Sequence, residues 1–241
     1  MSLNLRLLNL FLGMCKGAVG LPTNLRQLGD RETGIEMPFQ NAGSEAVVPE
    51  LIISSRNVHH SLLFEWKEGG NTEADQLRRY NGIIQQDLTQ RAMLAADECA
   101  TFNVTVIGVH EFRDRIALGV DNGGYTFPVL IVTDAGIELI RHGFAEPQTD
   151  AVFRPLLNIN WDNAPTSFSP VDGSSELWEY AEQIIPFLLT RMEAGDTRIV
   201  AEDVAHHIIP LWDTANQNFS QQVAAKIVAV LTYASQNATQ G

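Results

Sequence analysis

Glu50, Glu65 and Lys67 are the residues whose types and spacing could do chemistry. They lie in and beside two short apolar runs, VVPELII from residue 47 and SLLFEWK from residue 61, separated by the polar stretch SSRNVHH. Each run is rich in β-branched or aromatic residues and bounded by turn formers, which predicts two paired strands. Residues i and i+2 of a strand share a face, so Glu65 and Lys67 project together while Phe64 and Trp66 project from the other side. Glu50 on the neighbouring strand can place a second carboxylate beside them. Charged groups at the end of a hydrophobic strand are costly unless paired or bound to something. Two carboxylates on one spot attract a divalent cation, and hard oxygen ligands favour Mg²⁺ or Mn²⁺.

The elements that must position these groups follow directly. Thr72 can cap a helix with Glu73 and Asp75 in its first turn, and the pattern predicts helix through residues 72–100 with a break near Asn81-Gly82. Gln76 and Tyr80 are four apart and share a face. Arg79 lies about one turn after Gln76 and could join them, while Arg78 points elsewhere. A bland reading stands beside this one: Leu77, Tyr80, Ile84 and Leu88 in a core, with the polar residues in water.

Pro49-Glu50, then Glu65-Trp66-Lys67 on the next strand, then Gln76-Leu77-Arg78-Arg79-Tyr80 on the following helix resemble the motifs of the PD-(D/E)XK nuclease superfamily, in its RecB-like branch with a Gln-x-x-x-Tyr motif. The resemblance spans roughly residues 40–140. It implies a restriction-endonuclease-like α/β core, a mixed central sheet flanked by helices. It implies a metal-dependent nuclease hydrolysing phosphodiester bonds of DNA in defence, repair or recombination. Glu50, Glu65 and the Trp66 carbonyl would hold Mg²⁺ or Mn²⁺. Lys67 would orient the attacking water, and Gln76, Arg79 and Tyr80 would position the backbone phosphate. Such cores often pair, which implies a homodimer.

The chain departs from that pattern at two points. The family's first acid is usually Asp, and Glu50 stands here. The first helix, expected over residues 4–18 from Leu5, Leu8, Phe11, Leu12 and Cys15 at helical spacing, carries no acid to serve as an extra ligand. Glu32, Glu36 and Glu45 could substitute, or be solvated loop carboxylates. These departures keep a second reading open: a catalytically inactive nuclease-fold protein acting as a nucleic-acid-binding or protein-interaction module. A third is a different metal-assisted hydrolase built on the same carboxylates.

The 241 residues carry a net charge of −13, with 45% hydrophobic and 19% charged residues. That composition is globular and argues against tight, nonspecific duplex binding by the whole surface, though not against a local basic groove. Cys15 and Cys99 sit in no zinc-ligand spacing, and two cysteines fit a reducing, cytoplasmic protein. No apolar run is long enough for a membrane span.

The rest of the chain sets the frame. Residues 20–46 predict a loop with one strand near 35–39. His59 and His60 read as exposed turn residues. A turn is expected at Glu68-Gly69-Gly70-Asn71. FNVTVIGVH (102–110) predicts a buried strand. Asp121-Asn122-Gly123-Gly124 predicts a hairpin turn, and YTFPVLIVT a strand in which Pro128 demands an edge position, a late start or a bulge. A nuclease-like domain is expected over residues 1–145 and a linker over 146–172, anchored by Phe153 and Trp161. A small all-α C-terminal module follows over 173–241, with Ser220 capping its last helix. Three such helices resemble a winged-helix or helix-turn-helix module and equally read as an interaction bundle. The tail SQNATQG is expected to fray.

Overall fold

The structure, a computed structural model, describes residues 3–67, 69, 72–161, 171–173, 175–196, 198–209, 212–215 and 217–238. It divides into two compact units, one of residues 10–165 and one of residues 166–241 with 1–9.

The larger unit is a mixed α/β layer structure. Its sheet has seven strands: β1 (Asp30–Ile35), β4 (Leu51–Ser55), β5 (His60–Lys67), β6 (Thr101–Val109), β7 (Val129–Thr133), β8 (Gly136–Arg141) and β9 (Leu157–Asn158). They lie in the order β1-β4-β5-β6-β7-β8-β9. β5, β6 and β7 run parallel, and the outer pairings are antiparallel. A separate two-stranded hairpin, β2 (Phe39–Gln40) with β3 (Ala46–Val47), precedes β4. The helices of this part of the chain are α1 (Leu3–Lys16), α2 (Asn24–Leu28), α3 (Ala74–Asn81), α4 (Gln85–Gln90), α5 (Arg113–Asn122) and α6 (Pro147–Phe153).

The two predicted strands form as β4 and β5, and the core explains why they sit at the centre. All eight residues of β5 are buried. One face of β5 stacks Phe64 on Phe11 of α1, with ring centroids 4.5 Å apart. The other face joins Leu63 to a cluster with Val104 and Val106 of β6, Val129 and Ile131 of β7, Leu77 and Tyr80 of α3, Leu88 of α4, and Ile116 and Val120 of α5. Both faces are covered, as parallel strands require. In α1, Leu10, Phe11, Leu12 and Met14 are all buried, so the helix is enclosed over more than the single stripe its spacing predicts.

Several expectations give way to local physics. The stretch before Asn122-Gly123 is helix α5, not a strand leading to a hairpin. Ile116, Ala117 and Val120 recur at helical spacing and are buried, and a parallel β6–β7 pair needs a crossover rather than a tight turn. Gly108 lets α5 lie close on β6, since a Cβ there would fall 2.0 Å from Ile116 Cδ1. Of the three outcomes Pro128 allowed, β7 begins late, at Val129, and carries a register shift against β8 between Val129 and Leu130. The helix expected over 72–100 is two short helices, α3 and α4, followed by an irregular segment; its N-cap is Glu73 rather than Thr72. Residues 20–46 hold α2, β1 and the β2–β3 hairpin where one strand was expected. The turn at residues 68–71 lies outside the described residues except for Gly69.

The segment expected as a linker is partly built into the sheet unit. α6 opens with Glu146 accepting from Thr149 N, and β9 pairs with β8. The two expected anchors hold: Phe153 packs on Phe144 at 4.9 Å, and Trp161 Nε1 donates to the Thr133 carbonyl at 2.9 Å. Residues 162–170 lie outside the described residues.

The smaller unit is helical. It contains α7 (Leu177–Glu193), α8 (Ala201–Ile208) and α9 (Gln217–Ala238), packed through Tyr180, Ile184, Val204, Ile208, Phe219, Val223 and Ile227. Its last helix begins at Gln217, ahead of the expected cap at Ser220, and the final residues 239–241 lie outside the described residues. No described helix is long and apolar enough to cross a membrane.

Candidate functional site

The candidate site sits where β5 ends and α3 crosses its face. Strand alternation puts Leu63, Glu65 and Lys67 on one side of the sheet, and α3 covers that side with Leu77 and Tyr80. Gln76, one residue before Leu77, is thereby brought over the charged pair. Lys67 Nζ donates to Glu65 Oε1 at 2.7 Å and also to Gln76 Oε1. Gln76 Nε2 donates back to Glu65 Oε1 at 2.7 Å. The three side chains close a ring in which the glutamine amide bridges the carboxylate and the ammonium. Glu65 is 2% and Lys67 8% exposed, and breaking one side of so buried an ion pair typically costs about 3–5 kcal/mol.

Glu50 enters from the adjacent strand. It stands one residue before β4, where its N–H donates to the Phe64 carbonyl at 3.0 Å and its carbonyl accepts from Glu36 N at 3.0 Å. Its side chain accepts from Trp66 N at 3.3 Å. Burial, reinforced by the neighbouring Glu65 carboxylate, pushes the Glu50 carboxyl well above the usual carboxylate range. Tyr80 lies behind the pair and is 2% exposed. Burial first, then the charges of Glu65 and Glu50, push its phenol well above the ordinary tyrosine value. Glu65 Oε2 and the Tyr80 hydroxyl are both buried without a partner in hydrogen-bonding geometry.

Glu50, Glu65, Lys67, Gln76 and Tyr80 are therefore brought together, and Arg79 is not. Its guanidinium donates to the Ala46 carbonyl at 3.0 Å and lies 3.6 Å from Asp75. Tyr80, enclosed in the core, faces the carboxylates rather than open solvent. Two of the three acids proposed as substitutes for a helix-borne ligand go elsewhere: Glu32 pairs with Lys16 at 2.9 Å, and Glu45 pairs with Arg78 at 2.6 Å; the third, Glu36, adjoins Glu50 through the backbone, its N–H donating to the Glu50 carbonyl. Among the described residues, no group of three or more His, Cys, Asp and Glu side chains is arranged to hold a metal ion. A cation here would rest on the two carboxylates and main-chain oxygen. The unpartnered Glu65 Oε2 beside the Glu50 carboxyl fits such a guest, because two carboxylates share one low-dielectric spot with a single lysine.

Two features escape sequence reading. The first is Asn41, buried in the β2–β3 turn, whose amide reaches the C-terminal end of α3 (Arg79 O, 2.8 Å). The second lies at the opposite end of β5. His60 is 1% exposed, not an exposed turn residue; its neighbour His59 is exposed, as expected. His60 Nδ1 is 2.8 Å from Thr101 Oγ1, and Nε2 is buried without a partner. Asp30 and Glu146 are also buried and close enough to interact electrostatically. Burial, then Glu146, raises the Asp30 carboxyl to about 7, while burial lowers His60 to about 4. The signal available for His60 was weak: it opens an apolar run, and strand residues at such positions are buried when both sheet faces are covered.

A family model, the MJECL32 domain, matches residues 4–168. This is more than half of the chain, and the protein belongs to that family. No curated protein and no solved structure matches the chain.

Proposed function

We propose that the protein is a metal-dependent nuclease of the PD-(D/E)XK kind that hydrolyses phosphodiester bonds, with DNA as its substrate and Mg²⁺ or Mn²⁺ as its cofactor. One observation carries this reading. Glu65, Lys67 and Gln76, from a strand end and a crossing helix, form a closed ring beside Glu50, with one buried carboxylate oxygen left without a partner. Glu50 and Glu65, with the Trp66 carbonyl, would hold the cation. Bound there, it supplies Lewis-acid neutralisation of the phosphodiester charge.

The chain's own groups would do the rest. Lys67 is held beside the carboxylates by Glu65 and Gln76, where its ammonium would orient the attacking water. Gln76 is half-buried, and its amide, which holds Lys67 and Glu65, would contact the backbone phosphate. Tyr80, behind Glu65, would orient that carboxylate. Arg79 stays outside the site, donating to the Ala46 carbonyl and ion-paired with Asp75.

A second reading is favoured by the same burial. Glu65 and Lys67 are almost fully enclosed, and two of the acids that could have joined them, Glu32 and Glu45, are committed to Lys16 and Arg78. On this reading the fold is retained without catalysis, and the chain acts as a nucleic-acid-binding or interaction module. A cytoplasmic location and a homodimer belong to the proposal.

The test is incubation of linear, circular, single-stranded and branched DNA with Mg²⁺ or Mn²⁺, comparing wild type with Lys67→Ala. Metal-dependent cutting that disappears in the variant supports the nuclease. Binding without cutting by a folded wild type supports the second reading.

A further inference from the structure

The site depends on two pieces far apart in sequence keeping their spacing: Glu50 before β4, and α3 carrying Gln76 and Tyr80. The β2–β3 hairpin touches both. It leads into Glu50 only three residues after Val47, and it is bolted to α3 and to Arg91, which follows α4, by a series of polar contacts. Asn41 Nδ2 donates to Arg79 O at 2.8 Å and to Glu45 Oε2 at 3.4 Å. Its Oδ1 accepts from Gly43 N at 2.9 Å and Glu45 N at 3.0 Å. Both ends of this buried amide are used, and a carboxylate or an apolar side chain could not replace it. Around it, Arg78 grips Glu45 with two bonds of 2.9 and 2.6 Å, Arg79 reaches Ala46 O, and Arg91 reaches Gln40 O at 2.9 Å.

The packing leaves room for the Asn41 amide and no more. A Cβ on Gly82, which follows α3, would lie 2.8 Å from Asn41 Nδ2 and 3.3 Å from Arg79 O. Gly82 has φ −79, a conformation any residue adopts. Its lack of a side chain serves the contact with Asn41, not the backbone.

We propose that Asn41 is a positioning residue for the candidate site: by tying the β2–β3 hairpin to the C-terminal end of α3, it fixes Gln76 and Tyr80 against Glu50 and Glu65. This rests on the nuclease reading for its catalytic consequence, and on geometry alone for its structural one. The arginine contacts lie at the surface, where water competes, whereas Asn41 is 1% exposed and bonds inside the unit. A reacting group displaced by about 1 Å can cost about 10²-fold in rate, so a strap of this kind is read in turnover rather than in substrate affinity.

The test compares wild type with Asn41→Ala, Asn41→Asp and Gly82→Ala. Asn41→Asp keeps the acceptor for the Gly43 and Glu45 amides and removes the donor to Arg79 O. Gly82→Ala leaves Asn41 in the chain and pushes its amide off the helix end, which covers the case in which an Asn41 variant fails to fold. The expected result is a fall in kcat of about tenfold or more in all three, with KM changed by less than about threefold. A second readout needs no activity: amide hydrogen exchange, which in the folded variants should speed up across residues 74–81 of α3 while exchange in β5 and β6 stays as in wild type. Variants that lose only melting temperature, with kcat and the exchange of α3 relative to β5 unchanged, would overturn the proposal. A wild type that cuts no DNA would defeat the nuclease reading, while the exchange of α3 would still decide the strap.

Discussion

The two ends of β5 bury charge in opposite ways. At the C-terminal end, Lys67 pairs with Glu65 at 2.7 Å, and Gln76 bonds to both. At the N-terminal end, buried His60 and buried Asp30 each feel the Glu146 carboxylate. Here burial acts through the protons: the Asp30 carboxyl is raised to about 7 and His60 is lowered to about 4. Desolvation drives both shifts, raising an acid and lowering a base. One end ties an ion pair down with hydrogen bonds; at the other, burial raises an acid and lowers a base. A site that handles a charged substrate needs the first arrangement, which is why the functional proposal falls on the Lys67 end.

The comparison breaks most visibly at Lys67. Lys67→Ala should lower DNA cleavage by about 10²-fold or more and, by leaving Glu65 uncompensated in a buried setting, destabilise the fold by about 3–5 kcal/mol. A cleavage assay beside thermal melting checks both. Full activity in a folded variant would remove the lysine from the chemistry.

The Asp30–His60 end predicts a pH signature with a definite sign. Asp30 has a folded-state value above its ordinary 3.8, so its contribution is complete below about pH 4 and lost as pH rises through about 7. His60 has a folded-state value below its ordinary 6.5, so its contribution is complete above about pH 6.5 and lost as pH falls through about 4. Between those limits the folded pair holds a proton on Asp30 and the unfolded pair holds one on His60. The proton counts match, and the two residues together impose little slope. Asp30→Asn should unmask the histidine, giving a stability that declines by on the order of 3 kcal/mol from pH 6.5 to 4. His60→Gln should unmask the acid, giving a decline on the order of 4 kcal/mol from pH 4 to 7. Urea melts across that range would check both, and parallel wild-type and variant profiles would refute the two shifts.

A smaller effect sharpens the same end. Thr101→Val removes the hydroxyl that lies 2.8 Å from His60 Nδ1 and should cost about 1 kcal/mol at pH 7. The same melts would show it, and a change within error would mean that His60 is held by packing alone.

What the sequence exposes about this molecule follows from how local each cause is. The convergence of Glu65 and Lys67 was legible because strand alternation alone places residues i and i+2 together. Gln76 and Tyr80 were legible as one helical face for the same kind of reason. β1 was not, since DRETGI lacks an apolar alternation and is held by its register with β4. The hairpin strands are two residues each, too short to carry a period. α5 was misread because Asn122-Gly123 is a strong local turn signal, and only the parallel pairing of β6 with β7 requires a helix there. Arg79 was drawn toward the site by its position on α3, yet a carbonyl of the hairpin claims it. Asn41 and the Asp30–His60–Glu146 group depend on contacts spanning tens of residues, which no short window contains.

The central claim is that the Glu50–Glu65 pair is a cation site and the Asp30–Glu146 pair is not. Titration of Mn²⁺ into the protein, followed by electron paramagnetic resonance, tests this directly with wild type, Glu65→Gln and Asp30→Asn. The account predicts binding to wild type that weakens at least about tenfold in Glu65→Gln, because a neutral amide replaces a ligand carboxylate, and survives in Asp30→Asn. A folded wild type that binds no Mn²⁺, or binding lost in Asp30→Asn and kept in Glu65→Gln, would contradict it.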